Sequence, residues 1–159
     1  MATNFNPCLV IDIWKSITED FSSLVVFEGQ FPEGDRQLPN DFKTKGYAFL
    51  IGAAKSGQLV IFDKHGNTAE RYQIHTAPII HLIHNSTCQY LCTAAADSTI
   101  KICRVNPFGR EKIIIALSVN PQFFPKQISI LESTLLVASE EGVVSMFFFN
   151  LEKNGTFLF

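Results

Sequence analysis

The chain has 159 residues, enough for an ordinary globular core, and its 47% hydrophobic and 18% charged residues exclude an intrinsically disordered chain. The formal net charge is −2, and residues 1–46 (7 acidic, 4 basic) and 47–159 (8 acidic, 9 basic) leave neither a basic nor an acidic tail, which argues against a nucleic-acid footprint. Fifteen Phe against 3 Tyr and 1 Trp point to core filling and not to a stacking platform, because Phe brings no polar group that burial must satisfy.

The opening MATNFNPCLVIDIW has no basic stretch leading into a long apolar run, so no secretory leader is expected. No apolar run approaches the ~18 residues of a membrane helix. Cys8, Cys88, Cys92 and Cys103 include no C-x-x-C pair, and the expectation is reduced, buried thiols in an intracellular, cytoplasmic protein, with a cytoskeletal or ciliary assembly as one setting. Cys8–Trp14 fits a strand by its β-branched content and equally a helix through Val10, Ile13, Trp14, Ile17 and Phe21. Ser23–Glu28 reads as a first strand, and Phe31–Lys45, with two prolines and many charges, as an insertion before the second. Residues 1–46 are therefore set apart as an N-terminal segment.

From residue 47 the chain repeats. Leu50–Asp63 (LIGAAKSGQLVIFD), Leu91–Arg104 (LCTAAADSTIKICR) and Leu135–Phe148 (LLVASEEGVVSMFF) align without gaps, at offsets of 41 and then 44 residues. Each is an apolar strand with small residues, a short polar turn, and a second strand alternating at period two. Gly57, Ser98 and Gly142 correspond at the turn, as do Phe62, Cys103 and Phe147 near the end. Ala and Gly before the turn fit closely packed sheets, where only small side chains have room at some inner positions.

The other strands fall in the gaps. A Lys64–Asn67 turn leads to an outer strand near Ala69–Ile74. The middle unit reads Ile79–His84, Tyr90–Ala95, Thr99–Val105 and Lys112–Leu117, with the Asn106–Arg110 turn before the last. Asn120-Pro121 breaks the chain, and Lys126–Leu131 and Leu135–Ser139 flank a tight turn at Glu132–Thr134. A repeat of ~40–45 residues holding four strands is the period of a propeller blade. The blades are placed at about 47–75, 76–117 and 118–159.

These residues resemble WD40 repeats, and the resemblance covers the chain from about residue 47. It implies an all-β, partial WD40-type β-propeller of about three four-stranded antiparallel blades. In that family a loop His, a Ser or Thr on the second strand, an Asp at the following turn and a Trp on the third strand form a hydrogen-bonded lock. The middle unit matches at His75, Thr93 and Asp97, and places Cys103 where Trp is expected. In the first unit Gly52, Ser56 and Phe62 stand at the Ser/Thr, Asp and Trp positions. In the third Val137, Glu141 and Phe147 do, and no His lies near Val119. These two units are expected to hold by apolar packing, because a polar network contributes only when fully satisfied.

Other motifs carry less. Gly52–Gly57 (GAAKSG) has phosphate-loop spacing, but Gln58-Leu59 stand where Lys-Ser/Thr should follow, and a strand follows where a helix is required. His81, His84, Cys88 and Cys92 lie within twelve residues, yet strand residues three apart point to opposite faces, so no metal is expected. Asn85-Ser86-Thr87 and Asn154-Gly155-Thr156 have the form of sequons and read as turns. No nucleophile can be assigned to His75, and no carboxylate pair has a catalytic context.

The resemblance implies a non-catalytic protein–protein interaction scaffold without cofactors, whose partners are other proteins and neither nucleic acid nor membrane. The alternative is an enzyme or small-ligand propeller with a site at one rim. Candidate rim residues are Lys55, Ser56, Ser98, Glu140 and Glu141, with His75 and Thr76 in loops near His75–Ala77 and Asn120–Phe124 placed on the opposing rim. Propellers close with ~4–8 blades. The chain is therefore expected to be a fragment or short form of a longer propeller protein, or to close by self-association.

Overall fold

The computed structural model describes residues 20–29, 47–62, 68–85, 90–106, 110–151 and 157–158. Cys8–Trp14, the 31–45 insertion, the 64–67 turn and Cys88 lie outside them. Among the described residues there is no helix. β1 (Phe21–Gly29), β2 (Tyr47–Ala54), β3 (Gln58–Phe62) and β4 (Thr68–Gln73) form one antiparallel sheet in chain order. β5 (Ile79–Asn85), β6 (Tyr90–Ala95), β7 (Ile100–Val105) and β8 (Ile113–Val119) form the second in the same order. β9 (Gln127–Leu131), β10 (Thr134–Ala138) and β11 (Val144–Phe148) form the third.

The third sheet differs from the expected four strands. Only Phe149 separates β11 from β12 (Asn150–Leu151), which pairs with β13 (Phe157–Leu158) in a hairpin of its own. Asn154-Gly155 between them is a strong short-range hairpin signal.

The sheets stack because their central strands are apolar on both faces. In the first sheet Ile51, Ala53, Leu59 and Ile61 point to the second sheet, where they meet Ile79, Leu82, Leu91 and Cys103 in one cluster. Cys92, Ala94, Ile100 and Ile102, on the other face of the second sheet, meet Ile128, Leu135 and Val137 of the third. The positions correspond at the offsets of 41 and 44 read from the sequence. The inner strands β1, β5 and β9 approach one another. Farther out, Tyr72 on β4 accepts a hydrogen bond from Lys112 N–H just before β8, at 2.9 Å, and the Lys112 ammonium pairs with Glu70.

Corresponding turns share a left-handed residue, with φ of +85° at Gly57, +64° at Ser98 and +84° at Gly142. Gly57 is also crowded: a Cβ there would lie 2.2 Å from the His75 carbonyl oxygen, whereas at Gly142 nothing lies within 4 Å. Gly142→Ala should therefore cost about 1 kcal/mol, the left-handed penalty alone. Gly57→Ala should cost at least about twice that, because backbone must move as well. Urea denaturation of the two variants checks the ranking, and equal losses would contradict it.

Candidate functional site

A buried chain of polar side chains joins the 74–78 loop to the second sheet. Thr93, in the middle of β6, and His75 are both buried, His75 being only 2% exposed. His75 Nε2 lies 2.8 Å from Thr93 Oγ1, and Nδ1 lies 2.8 Å from Thr99 Oγ1. Asp97 Oδ1 accepts hydrogen bonds from Thr99 N–H at 2.9 Å and from Thr99 O–H at 2.6 Å. Its other oxygen accepts from Thr76 Oγ1 at 3.5 Å. Lys101 Nζ donates to the carbonyl of Ile74 at 2.5 Å, which fixes the loop one residue before His75.

The charges follow from this packing. Burial pushes the His75 imidazole down to about 4, with the nearby Lys101 ammonium acting in the same direction and Asp97 opposing it. Burial opposes the Asp97 charge, but the hydroxyl and amide of Thr99 outweigh it and hold that carboxyl below its usual value. A neutral His75 leaves one proton assignment that supplies a donor at each short contact: Thr93 O–H to Nε2, Nδ1–H to Thr99 Oγ1, and Thr99 O–H to the Asp97 carboxylate. Thr93 Oγ1 also lies 3.3 Å from Lys101 O, a longer and weaker contact.

Of the four residues read as a lock, the structure brings together His75, Thr93 and Asp97, and adds Thr99. Cys103 packs instead in the apolar cluster with Leu91 and Ile113. The signal for Thr99 lies in the sequence: an Asp two residues before a Thr at a turn can accept from that residue's amide. The other missed group, Glu70, Tyr72 and Lys112, has no such local signal, because 40 residues separate Tyr72 from Lys112.

The equivalent positions in the flanking sheets are filled differently. At Gly52, where the middle unit has Thr93, a Cβ would lie 2.6 Å from the Phe21 ring. That ring meets Phe62 edge-on, 5.8 Å between centroids. An aromatic pair thus occupies the place of the polar chain. In the third sheet Val137 is fully buried at this position, with the ring of Phe147 packed against the same cluster.

The loops tell against one expectation. The loops holding His75–Ala77 and Asn120–Phe124 do not oppose the 55–57, 96–99 and 140–142 turns; they share a rim with them. His75 N–H donates to Gly57 O, Ala96 N–H to Pro78 O and Lys126 N–H to Ala138 O, each at 2.9 Å. Gln73 Nε2 spans the Ser56 and His75 carbonyls. The reason is parity: a four-stranded meander returns the chain to the end at which it entered, which is also the end of the β2–β3 and β6–β7 turns. Lys55, Ser56, Thr76, Glu140 and Glu141 are exposed on this rim and Ser98 is half-buried there. His75 is the exception among the rim candidates, since its ring faces inward and Thr76 is what solvent meets.

Among the described residues no group of three or more His, Cys, Asp and Glu side chains is gathered as metal ligands. The 52–57 segment forms the end of β2 and a turn into β3. Burial raises the thiol of Cys92 and pushes that of Cys103 up to about 12, so both stay protonated.

No family model matches the chain, and no curated protein sequence matches it. Among solved structures, the chain is similar to the β-propeller domain of Swd1 (Cps50) from Myceliophteria thermophila, with a TM-score of 0.57 and 12% identity, over 69% of this chain and 38% of that one. The Dos1 propeller is also similar, with a TM-score of 0.47 and 14% identity, over 69% of this chain and 32% of that one. The chain spans well under half the length of either. At these identities the likeness is one of fold, and with the three stacked antiparallel sheets it makes the chain an all-β partial propeller.

Two predictions follow from the His75 chain. Thr93→Val keeps the shape but removes the Nε2 partner, and should cost about 1–3 kcal/mol. Val137→Thr, the reverse change at the equivalent buried position, should also destabilise, because no His accompanies it. Thermal unfolding of both variants checks this, and a stabilised Val137→Thr would contradict it. The second concerns pH. Unfolded His75 takes up a proton near 6.5, whereas native His75 does so only near 4. Between these values the unfolded chain binds more protons, so stability falls as pH falls. The contribution is fully present above pH 6.5 and lost by about pH 4, a change of about 3 kcal/mol. Urea unfolding at pH 7 and pH 4.5 should show wild type losing more than His75→Gln; equal losses would assign the effect to other groups.

Proposed function

We propose that this chain is part of a WD-repeat-type, non-catalytic scaffold that holds other proteins on the rim carrying Lys55, Ser56, Thr76, Ser98, Glu140 and Glu141. The observation that carries the reading is the convergence of five connections on one rim, each tied by backbone hydrogen bonds to a rigid stack. Rigid elements with exposed polar loops lose little order on binding, which favours recognition of a folded or extended protein surface. The rim mixes signs: Lys55 pairs with Asp20 at 3.2 Å and Lys126 with Glu140 at 3.4 Å. Mixed charge suits a polar protein surface better than a polyanion. The non-catalytic part is supported by groups that are chemically quiet, namely a buried neutral His75 and two buried protonated thiols. The hydrogen-bonded middle unit supports the WD-repeat class, and the propeller fold supports it by analogy.

The test is capture of partners by the immobilised full chain, followed by charge changes on each rim. Lys55→Glu combined with Ser98→Arg should weaken the captured complex roughly tenfold or more if these residues lie inside the contact. Arg110→Glu and Glu132→Lys, exposed at the other end of the sheets, should leave it unchanged. Loss of capture through Arg110 or Glu132 alone would overturn the assignment of the rim.

A further inference from the structure

The two connections between sheets differ on the rim. Residues 74–78 join β4 to β5, and residues 120–126 join β8 to β9, so the second connection is the longer. The shorter one turns its large side chains inward. Ile74 and His75 are buried, and Thr76 and Pro78 are what it exposes. The longer one reads NPQFFPK. It packs Phe123 against the apolar cluster between the second and third sheets and buries Pro125. Phe124, between these two inward residues, is 50% exposed. The second sheet precedes this connection and the third follows it, so both of the sheets that flank it are in place.

The backbone that carries Phe124 is fixed on either side of it. Pro121 and Pro125 each hold φ near one value. Gln122 adopts a left-handed φ of +63°, which costs a residue other than glycine roughly 1–2 kcal/mol. Its N–H donates to Asn120 Oδ1 at 2.8 Å. Beyond the ring, Lys126 N–H donates to Ala138 O at 2.9 Å, and Lys126 Nζ pairs with Glu140 at 3.4 Å. Local strain that the surroundings hold in place is a feature of ligand clamps, and here it accompanies a half-exposed aromatic ring on a polar rim.

We infer that Phe124 is the apolar anchor of the partner contact, an inference that rests on the reading of this rim as the binding surface. Its partner is a protein segment that closes aliphatic or aromatic side chains around the ring. The groups beside the ring set the rest of the chemistry. Lys126 and Glu140 neutralise each other, and Gln122 is exposed and uncharged. A segment of low net charge therefore fits here without leaving a charge unpaired. An aromatic side chain has only two torsions to fix, and this one stands on an ordered backbone. Little of the gain from covering it is then lost to ordering.

The experiment uses random peptides displayed on phage. They are first depleted on immobilised Phe124→Ser chain, which removes binders of every other surface, and then selected on wild type. Peptides with clustered aliphatic or aromatic residues and little net charge should remain. They should bind Phe124→Gln roughly tenfold or more weakly than wild type. They should bind Ile114→Ser, a change at a comparably exposed apolar residue on the outer strand β8, as tightly as wild type. Circular dichroism should show the fold retained in all three variants, because both side chains are already partly in solvent. An empty selection would overturn the inference, as would enrichment of strongly charged peptides or equal binding to Phe124→Gln. A parallel depletion on the Lys55→Glu, Ser98→Arg chain probes the rim itself. Binders recovered only in that second arm would leave the rim reading standing and strike the anchor, and binders in neither arm would overturn both.

Discussion

The structure depends on one constraint: the central strands are apolar on both sides, so a sheet must bury both of its faces, and the second sheet does so between the other two. An antiparallel sheet with one wet face alternates apolar and polar residues. Here β3 and β7 are almost wholly buried. Stacking through Ile51, Leu59 and Ile61 on one side, and Leu91 and Cys103 on the other, satisfies both sheets at once. Everything else, including the shared rim, follows from sheets that repeat in the same orientation.

Within that frame the three units solve one local problem in three ways. The space near the middle of the second strand holds a hydroxyl, an aromatic ring over a glycine, or a branched aliphatic side chain. The polar solution is the demanding one. It needs His75 from one loop, Thr93 from a strand and Thr99 and Asp97 from a turn, all with their protons in a compatible order. An incomplete version would leave a buried donor or acceptor unpaired, at a cost larger than the gain from a complete one. Where the His is missing, as in the third unit, Val137 avoids that cost.

The same chain of hydrogen bonds has a mechanical consequence for the rim. Thr76, Asp97 and Ser98 are exposed or half-exposed, but each adjoins an atom held by buried geometry. The exposed side of the rim is thereby tied to the buried hydrogen bonds beneath it. The turn residues contribute as well, since Gly57, Ser98 and Gly142 adopt left-handed conformations that hold tight connections between strands.

Much of this was determined by the sequence alone. The period of 41 and 44 residues, the strands within each unit, the corresponding turn residues and the His75–Thr93–Asp97 grouping are all local or repeated patterns, and period-two alternation and turn chemistry are properties of neighbouring residues. Tertiary structure decided what depends on long-range packing. It turned His75 inward, because the loop that holds it is pinned to Gly57 and Lys101. It recruited Thr99 and left Cys103 to the core. It placed both sets of loops on one rim through the even number of strands. It also sent the chain after Phe149 into a separate hairpin. Finally, it left Val144 and Met146 open, although their equivalents Ile100 and Ile102, and Leu59 and Ile61, are buried. Sequence marks a residue as fit for burial, and only the arrangement of neighbouring sheets decides whether anything lies over it.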